Sequence, residues 1–191
     1  LKSLYDYYQN SDGMSPLGLM NKKIECLVVM DEAGALIKLD STRTDKNHVK
    51  ELTVPEQSGR TSGIKPYLFN DKLEYITGYN FKTEKRDSIR KNSAFIDLCR
   101  KISEKYPENK DFKAVVNFYD NHGIDKIMER PEWEELKTFT GTFSFKIFGT
   151  LKIIAEDNEL RDEVLKDEKE LPSGVCMVTG KPGKLIRLSQ K

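Results

Sequence analysis

Histidine is nearly missing from this chain, and with it go most of the common routes to catalysis. The two histidines, His48 and His122, stand in polar or turn contexts, and no motif joins either to a nucleophilic serine or cysteine. The three cysteines, Cys26, Cys99 and Cys176, are odd in number and far apart. That pattern points to buried thiols in a reducing compartment and away from a disulfide scaffold. Cys176 opens at most half of a zinc knuckle, whereas a zinc site wants two close-spaced ligand pairs. Gly180-Lys181-Pro182-Gly183 lacks the spacing of a phosphate-binding P-loop, and a hairpin turn accounts for its glycines. No apolar run is long enough to span a bilayer, and no basic-apolar-small signal segment opens the chain. The expectation is a soluble cytoplasmic protein with no membrane partner, no metal, no cofactor and no catalytic residues.

Charge is abundant by contrast. Charged residues make up 33% and hydrophobic residues 37%, enough apolar material to bury a core. The net charge of +1 conceals opposed blocks. Residues 38–103 hold fourteen Lys and Arg against nine acids, and residues 104–170 hold eleven against seventeen. Such segregation suits one surface for a polyanion and another for solvent or a basic partner, although solvated helices produce the same pattern.

The residue pattern predicts an α+β fold: short antiparallel hairpins with a central group of helices. Leu1, Leu4, Tyr5 and Tyr8 repeat with helical spacing. Ile24 to Met30 reads as a strand, turned back through Asp31–Gly34 into Ala35–Leu39. Residues 40–50 are polar, Leu52–Pro55 is a short strand, and Tyr75–Tyr79 reads as another. A basic segment, Lys82 to Lys91, leads to a helix capped near Asn92 or Ser93 and stopped by Pro107. A second helix carries Phe112 to Tyr119, and Pro131-Glu132-Trp133 starts a third. Phe143–Phe148 and Leu151–Ala155 read as a hairpin, Asn158 to Glu170 as an acidic helix, and Val175–Thr179 with Lys184–Leu188 as a closing hairpin. No internal repeat interrupts this order. The chain opens inside an amphipathic pattern and stops just past an apolar strand. The expectation is one N-terminal domain, 1–191, of a longer protein, divisible into a β-rich basic part, 1–91, and a helical part, 92–191.

The chemistry concentrates in Arg60-Thr61-Ser62-Gly63-Ile64-Lys65-Pro66. Two cations, two hydroxyls and a glycine in six residues are groups that grip phosphate. Asn70 and Lys72 follow this stretch in the chain. Lys50, Lys82, Lys85, Arg86, Arg90 and Lys91 complete the densest cation set. A glycine-bearing loop suits the narrow minor groove, where readout needs small, close groups. A Ser/Thr/Gly turn between strands with incidental charge accounts for the same residues equally well.

Several of these strings carry a resemblance. Leu4-Tyr5-Asp6-Tyr7-Tyr8, the hairpin from Lys23 to Gly34, Val54-Pro55, the Arg60–Lys65 string, Tyr75-Ile76-Thr77-Gly78, Phe143-Ser144-Phe145 and Cys176–Gly180 together resemble the large subunit of type I-C CRISPR Cascade complexes, the Csd-type family. The likeness spans most of the chain and is weakest at residues 40–50 and 107–142. It implies a non-catalytic role: guide RNA pairing reads the target, and the large subunit reads the protospacer-adjacent motif in duplex DNA. It further implies a CRISPR RNA ribonucleoprotein as partner, especially the subunit holding the 5′ handle, and a helicase-nuclease recruited by the complex. Phage anti-CRISPR proteins are a further class of partner that such a surface admits. By this resemblance Arg60, Thr61, Ser62, Gly63, Ile64 and Lys65 form the DNA-facing loop, with Asn70 as an edge reader and Lys72 as a phosphate anchor in second rank. The rival is a protein-interaction module in which the acidic block 104–170 docks a basic subunit and the Arg60 loop only completes the fold. A nuclease is disfavoured by the lack of metal-ligand spacing.

Overall fold

The computed structural model describes residues 18–44, 48–57, 59–60, 63–79, 85–167, 173–175, 180 and 182–184. The expected opening helix, Lys82 and most of the expected closing hairpin lie outside these residues. Where that hairpin is described, Val175 pairs with Pro182 and Gly174 with Gly183, so Pro182 and Gly183 stand in a strand and not in the expected turn.

A long strand organises the sheet. β1 (Leu19–Met30) is apolar and β-branched through its second half, where burial is nearly complete. Its first half pairs antiparallel with β3 (Glu51–Pro55), and its second half with β2 (Leu36–Ser41). β5 (Thr142–Ile147) runs parallel to β1, matching Val28 to Phe145 and Met30 to Ile147. β4 (Asn70–Lys72) pairs antiparallel with β5 on its other side. The sheet is therefore mixed, in the order β2-β1-β5-β4 with β3 also on β1, within the α+β class that the sequence pattern predicts. β5 comes from the later half of the chain and lies between two strands of the earlier half, so one sheet draws on both. A separate pair, β6 (Ser173–Val175) and β7 (Pro182–Lys184), closes the described residues.

Helices cover the sheet. They are α1 (Leu73–Thr77), α2 (Lys85–Lys105), α3 (Lys110–Asp120), α4 (Gly123–Met128), α5 (Trp133–Leu136) and α6 (Asn158–Asp167). The core meets at Phe145 on β5. Its ring lies 6.1 Å from Phe95 of α2, and 6.0 Å and 6.1 Å from Phe118 and Tyr119 of α3. Such aromatic pairs add to the area that they bury. No described helix is long and apolar enough to cross a membrane.

Three further expectations are corrected. Tyr75–Tyr79 is not a strand: residues 73–77 are helical, and Gly78 ends the turn at φ 72°, donating to the Glu74 carbonyl at 3.1 Å. Leu73, Tyr75, Ile76 and Thr77 are all buried, so no polar face betrays the helical period. Asn92 does not start a helix. It lies inside α2, and its amide donates to the Tyr75 and Ile76 carbonyls at 2.8 and 2.9 Å, capping α1 from a neighbour. Phe143–Ala155 is not a hairpin either. β5 finds its partners in β1 and β4, while Ile154–Glu156 forms a 3-10 turn packed on β3 and β5.

The β1–β2 turn fixes where α3 sits. Gly34 has φ 88°, and a Cβ there would stand 2.4 Å from the Ala114 carbonyl oxygen and 2.7 Å from the Phe118 nitrogen. Gly34→Ala meets both left-handed backbone strain, about 1–2 kcal/mol, and overpacking against a helix backbone, about 1–3 kcal/mol. The expected result in urea denaturation is a loss of at least about 2 kcal/mol; a neutral substitution refutes this packing.

Candidate nucleic-acid interface

Burial of an aspartate sets the geometry of the site. Asp71, in the middle of β4, is 1% exposed. A carboxylate there needs partners, and it has three. Arg60 Nη2 donates to Oδ2, the Tyr67 N–H donates to Oδ2 at 2.9 Å, and the Lys72 N–H donates to Oδ1 at 2.7 Å. Burial nevertheless pushes the Asp71 carboxyl above its ordinary range, with Arg60 opposing.

Arg60 is held on every side. Its guanidinium carbon lies 3.9 Å from the Tyr67 ring centre and 4.1 Å from that of Tyr75, and Nε donates to the Lys65 carbonyl at 2.7 Å. One arginine thus closes the 60–65 loop at its base and ties it to the sheet. Beyond that closure Gly63, Ile64 and Lys65 are exposed, with Gly63 at φ 78°. The chain re-enters the sheet through Phe69, a left-handed residue at φ 51°, whose buried ring stacks on Phe112 at 4.8 Å.

Lys72 is exposed beside the loop. Lys22 joins it from β1, with Nζ 4.9 Å from the Tyr67 ring centre and donating to the Gln57 side-chain oxygen. Its pKa is lowered chiefly by burial, against the pull of Asp71, and further by the positive fields of Arg60 and Lys72. Three cations therefore surround one buried carboxylate. Their excess positive charge gives an anion a reason to approach.

Two predicted roles change in this setting. Asn70 is not an edge reader: it is 0% exposed, accepts from the Gln57 amide at 2.5 Å and donates to the Leu68 carbonyl at 2.7 Å. Arg60 presents no open guanidinium, because Asp71 and two tyrosines occupy it. Lys91 pairs with Glu74 at 2.9 Å and lies 5.8 Å from the Tyr75 ring centre, on the structural side of the same cluster. Arg90 is exposed on α2, and Lys50 is exposed where its carbonyl accepts from the Ile24 N–H at 3.1 Å. Thr61, Ser62 and Lys82 lie outside the described residues, as do the side chains of Lys85 and Arg86. Lys22 was missed by sequence reasoning. Its place on β1 reaches the loop only through the strand pairing, although the Lys22-Lys23 pair at the polar start of an apolar strand was a faint signal. Among the described residues no group of three or more His, Cys, Asp or Glu side chains is placed to hold a metal.

Removing Arg60 leaves Asp71 buried and unpaired. Arg60→Ala should cost about 3 kcal/mol at neutral pH. In the variant the Asp71 pKa rises further, so the folded state takes up a proton at higher pH than the wild type. The penalty is therefore largest at neutral pH and shrinks as the pH falls through the carboxyl range. Urea denaturation at neutral and acid pH reads both effects. A penalty that grows on acidification refutes the assignment.

The comparisons with known proteins agree with this basic loop only at the level of family. The family described as CRISPR-associated protein (Cas_Csd1) matches residues 4–191. No curated protein matches the chain. The match runs through the sheet, the Asp71 cluster and the helices alike, and the chain belongs to the Cas_Csd1 family of CRISPR-associated proteins.

Proposed function

We propose that the chain is a non-catalytic part of the large subunit of a type I-C CRISPR surveillance complex, and that its 60–66 loop reads the protospacer-adjacent motif in double-stranded DNA. The observation that carries this reading is the closed loop itself. Arg60 binds Asp71, Tyr67, Tyr75 and the Lys65 carbonyl, and the exposed tip at Gly63 to Lys65 belongs to the same cluster as Lys72 and Lys22. Gly63 lets the backbone of the tip approach a minor groove closely, Ile64 beside it offers apolar contact with the groove wall, and flanking lysines neutralise the phosphates on either side. Arg60 then serves by fastening the loop, and the backbone of Gly63, Ile64 and Lys65 faces the groove. Arg90 and Lys50 add sequence-independent attraction at a greater remove. Family membership supports the wider setting: guide RNA held by neighbouring subunits, a helicase-nuclease recruited afterwards, and action in antiviral defence.

Titration of the assembled complex against duplexes that differ only in the adjacent motif tests this reading. Lys72→Ala should weaken all duplexes alike and reduce the slope of log affinity against log salt by about one. Lys65→Ala should weaken binding and narrow the preference between motifs. Unchanged affinity and preference in both variants would falsify the loop assignment.

A further inference from the structure

The far end of the β1–β5 pair carries a second surface that DNA binding does not use. Parallel pairing places the start of the paired segment at the Asp71 cluster, since Asp71 is opposite Phe143 and Phe143 is opposite Cys26. Five residues later, roughly 17 Å along the strand, β5 ends in a turn that puts apolar side chains into solvent. Phe148 is 61% exposed and Leu151 is 99% exposed. The turn is braced, which keeps these side chains on display. The Phe148 N–H donates to the Met30 carbonyl at 2.8 Å, and the Thr150 hydroxyl lies 2.8 Å from the Ile147 carbonyl and 3.0 Å from that of Lys152.

Leu151 also lines an open cleft of about 420 Å3. The charged residues in that lining are Asp111, Glu156 and Asp157, against the single cation Lys152. Among the described residues no lysine or arginine forms an ion pair with any of the three carboxylates. Burial and the neighbouring charges of Asp157 and Glu32 push the Asp111 carboxyl above its ordinary range. By contrast, Glu163 of α6 is already engaged by Lys105 and Tyr106 inside the fold. The acidic block is therefore not uniform: Glu163 is paired with a cation inside the fold, whereas Asp157 of the cleft takes only neutral donors, the Asn109 amide at 3.1 Å and the Glu159 N–H at 2.8 Å.

We propose that the Phe148–Leu151 turn and the acidic cleft beside it form a docking surface for a basic segment of a neighbouring protein subunit. Leu151 and Phe148 supply apolar anchors of the kind that concentrate binding energy, and the carboxylates select a partner carrying lysine or arginine near its own apolar residue. Phosphate is repelled by the same carboxylates, which sets this surface apart from the basic loop. The proposal rests on the chain being a subunit of a complex, not on how it contacts DNA.

The test places a benzophenone amino acid at position 151 of the full chain, co-expressed with the other subunits. Irradiation of the purified complex is followed by mass spectrometry, with a second probe at exposed Ile89 as control. The expected product is one cross-link from position 151 to a net-basic segment of another subunit, absent from position 89. A cross-link to nucleic acid, to a second copy of this chain, or to nothing overturns the docking surface. In parallel, Phe148→Ser/Leu151→Ser should lower retention of the chain in the complex by about tenfold or more while leaving its melting temperature unchanged. Full retention overturns the proposal. If the unaltered chain joins no complex, the subunit reading fails and the docking surface with it. Assembly without the cross-link removes the docking surface alone and leaves the DNA reading standing.

Discussion

The parallel register between β1 and β5 is the constraint on which the rest of the molecule depends. Parallel neighbours need a crossover, and here it spans residues 31–141, so almost every helix lies within one long excursion. Because Val28 faces Phe145, the aromatic core of α2 and α3 gathers over the middle of the pair. Because β4 adds to the free edge of β5, Asp71 enters the interior at the pair's start. The basic loop is a consequence of that entry: a buried carboxylate demands a cation, and Arg60 answers from eleven residues away.

Charge segregation along the sequence becomes charge segregation in space, but not block by block. Lys22 lies outside the basic block, in residues 1–37 with their three lysines against five acids, and ends beside the basic loop. Glu163 belongs to the acidic block and is consumed by Lys105 and Tyr106. Each end of the β1–β5 pair thereby receives its own chemistry, cationic at Asp71 and apolar with carboxylates at Leu151.

Much of this was legible in the sequence where local physics governs. The β1–β2 hairpin, the end of α2 at Pro107 and the extent of α3 all follow from turn residues and apolar spacing. The Arg60 loop was legible as a feature, and its family likeness as well. What escaped depends on partners distant in the chain. Tyr75-Ile76-Thr77 has β-branched and aromatic residues but is helical, because Asn92 and the Tyr119 hydroxyl satisfy its final carbonyls. β5 reads as one arm of a hairpin, yet its partners lie over a hundred residues upstream in β1 and some seventy upstream in β4. Asn70 has the chemistry of a base reader and is buried with both amide atoms occupied. No local pattern records such an appointment.

The closure of the 60–65 loop by a single arginine bears on the kinetics of the recognition proposed for it. A loop that must order itself on contact loses conformational entropy at that moment and slows capture, whereas one already fastened to its sheet has met that loss during folding. On the proposed reading, rapid inspection of many wrong duplexes is then compatible with discrimination, because a loop fastened before contact loses little further entropy at each encounter. The buried Asp71, 1% exposed and engaged by Arg60, would on that reading act on residence time without touching DNA.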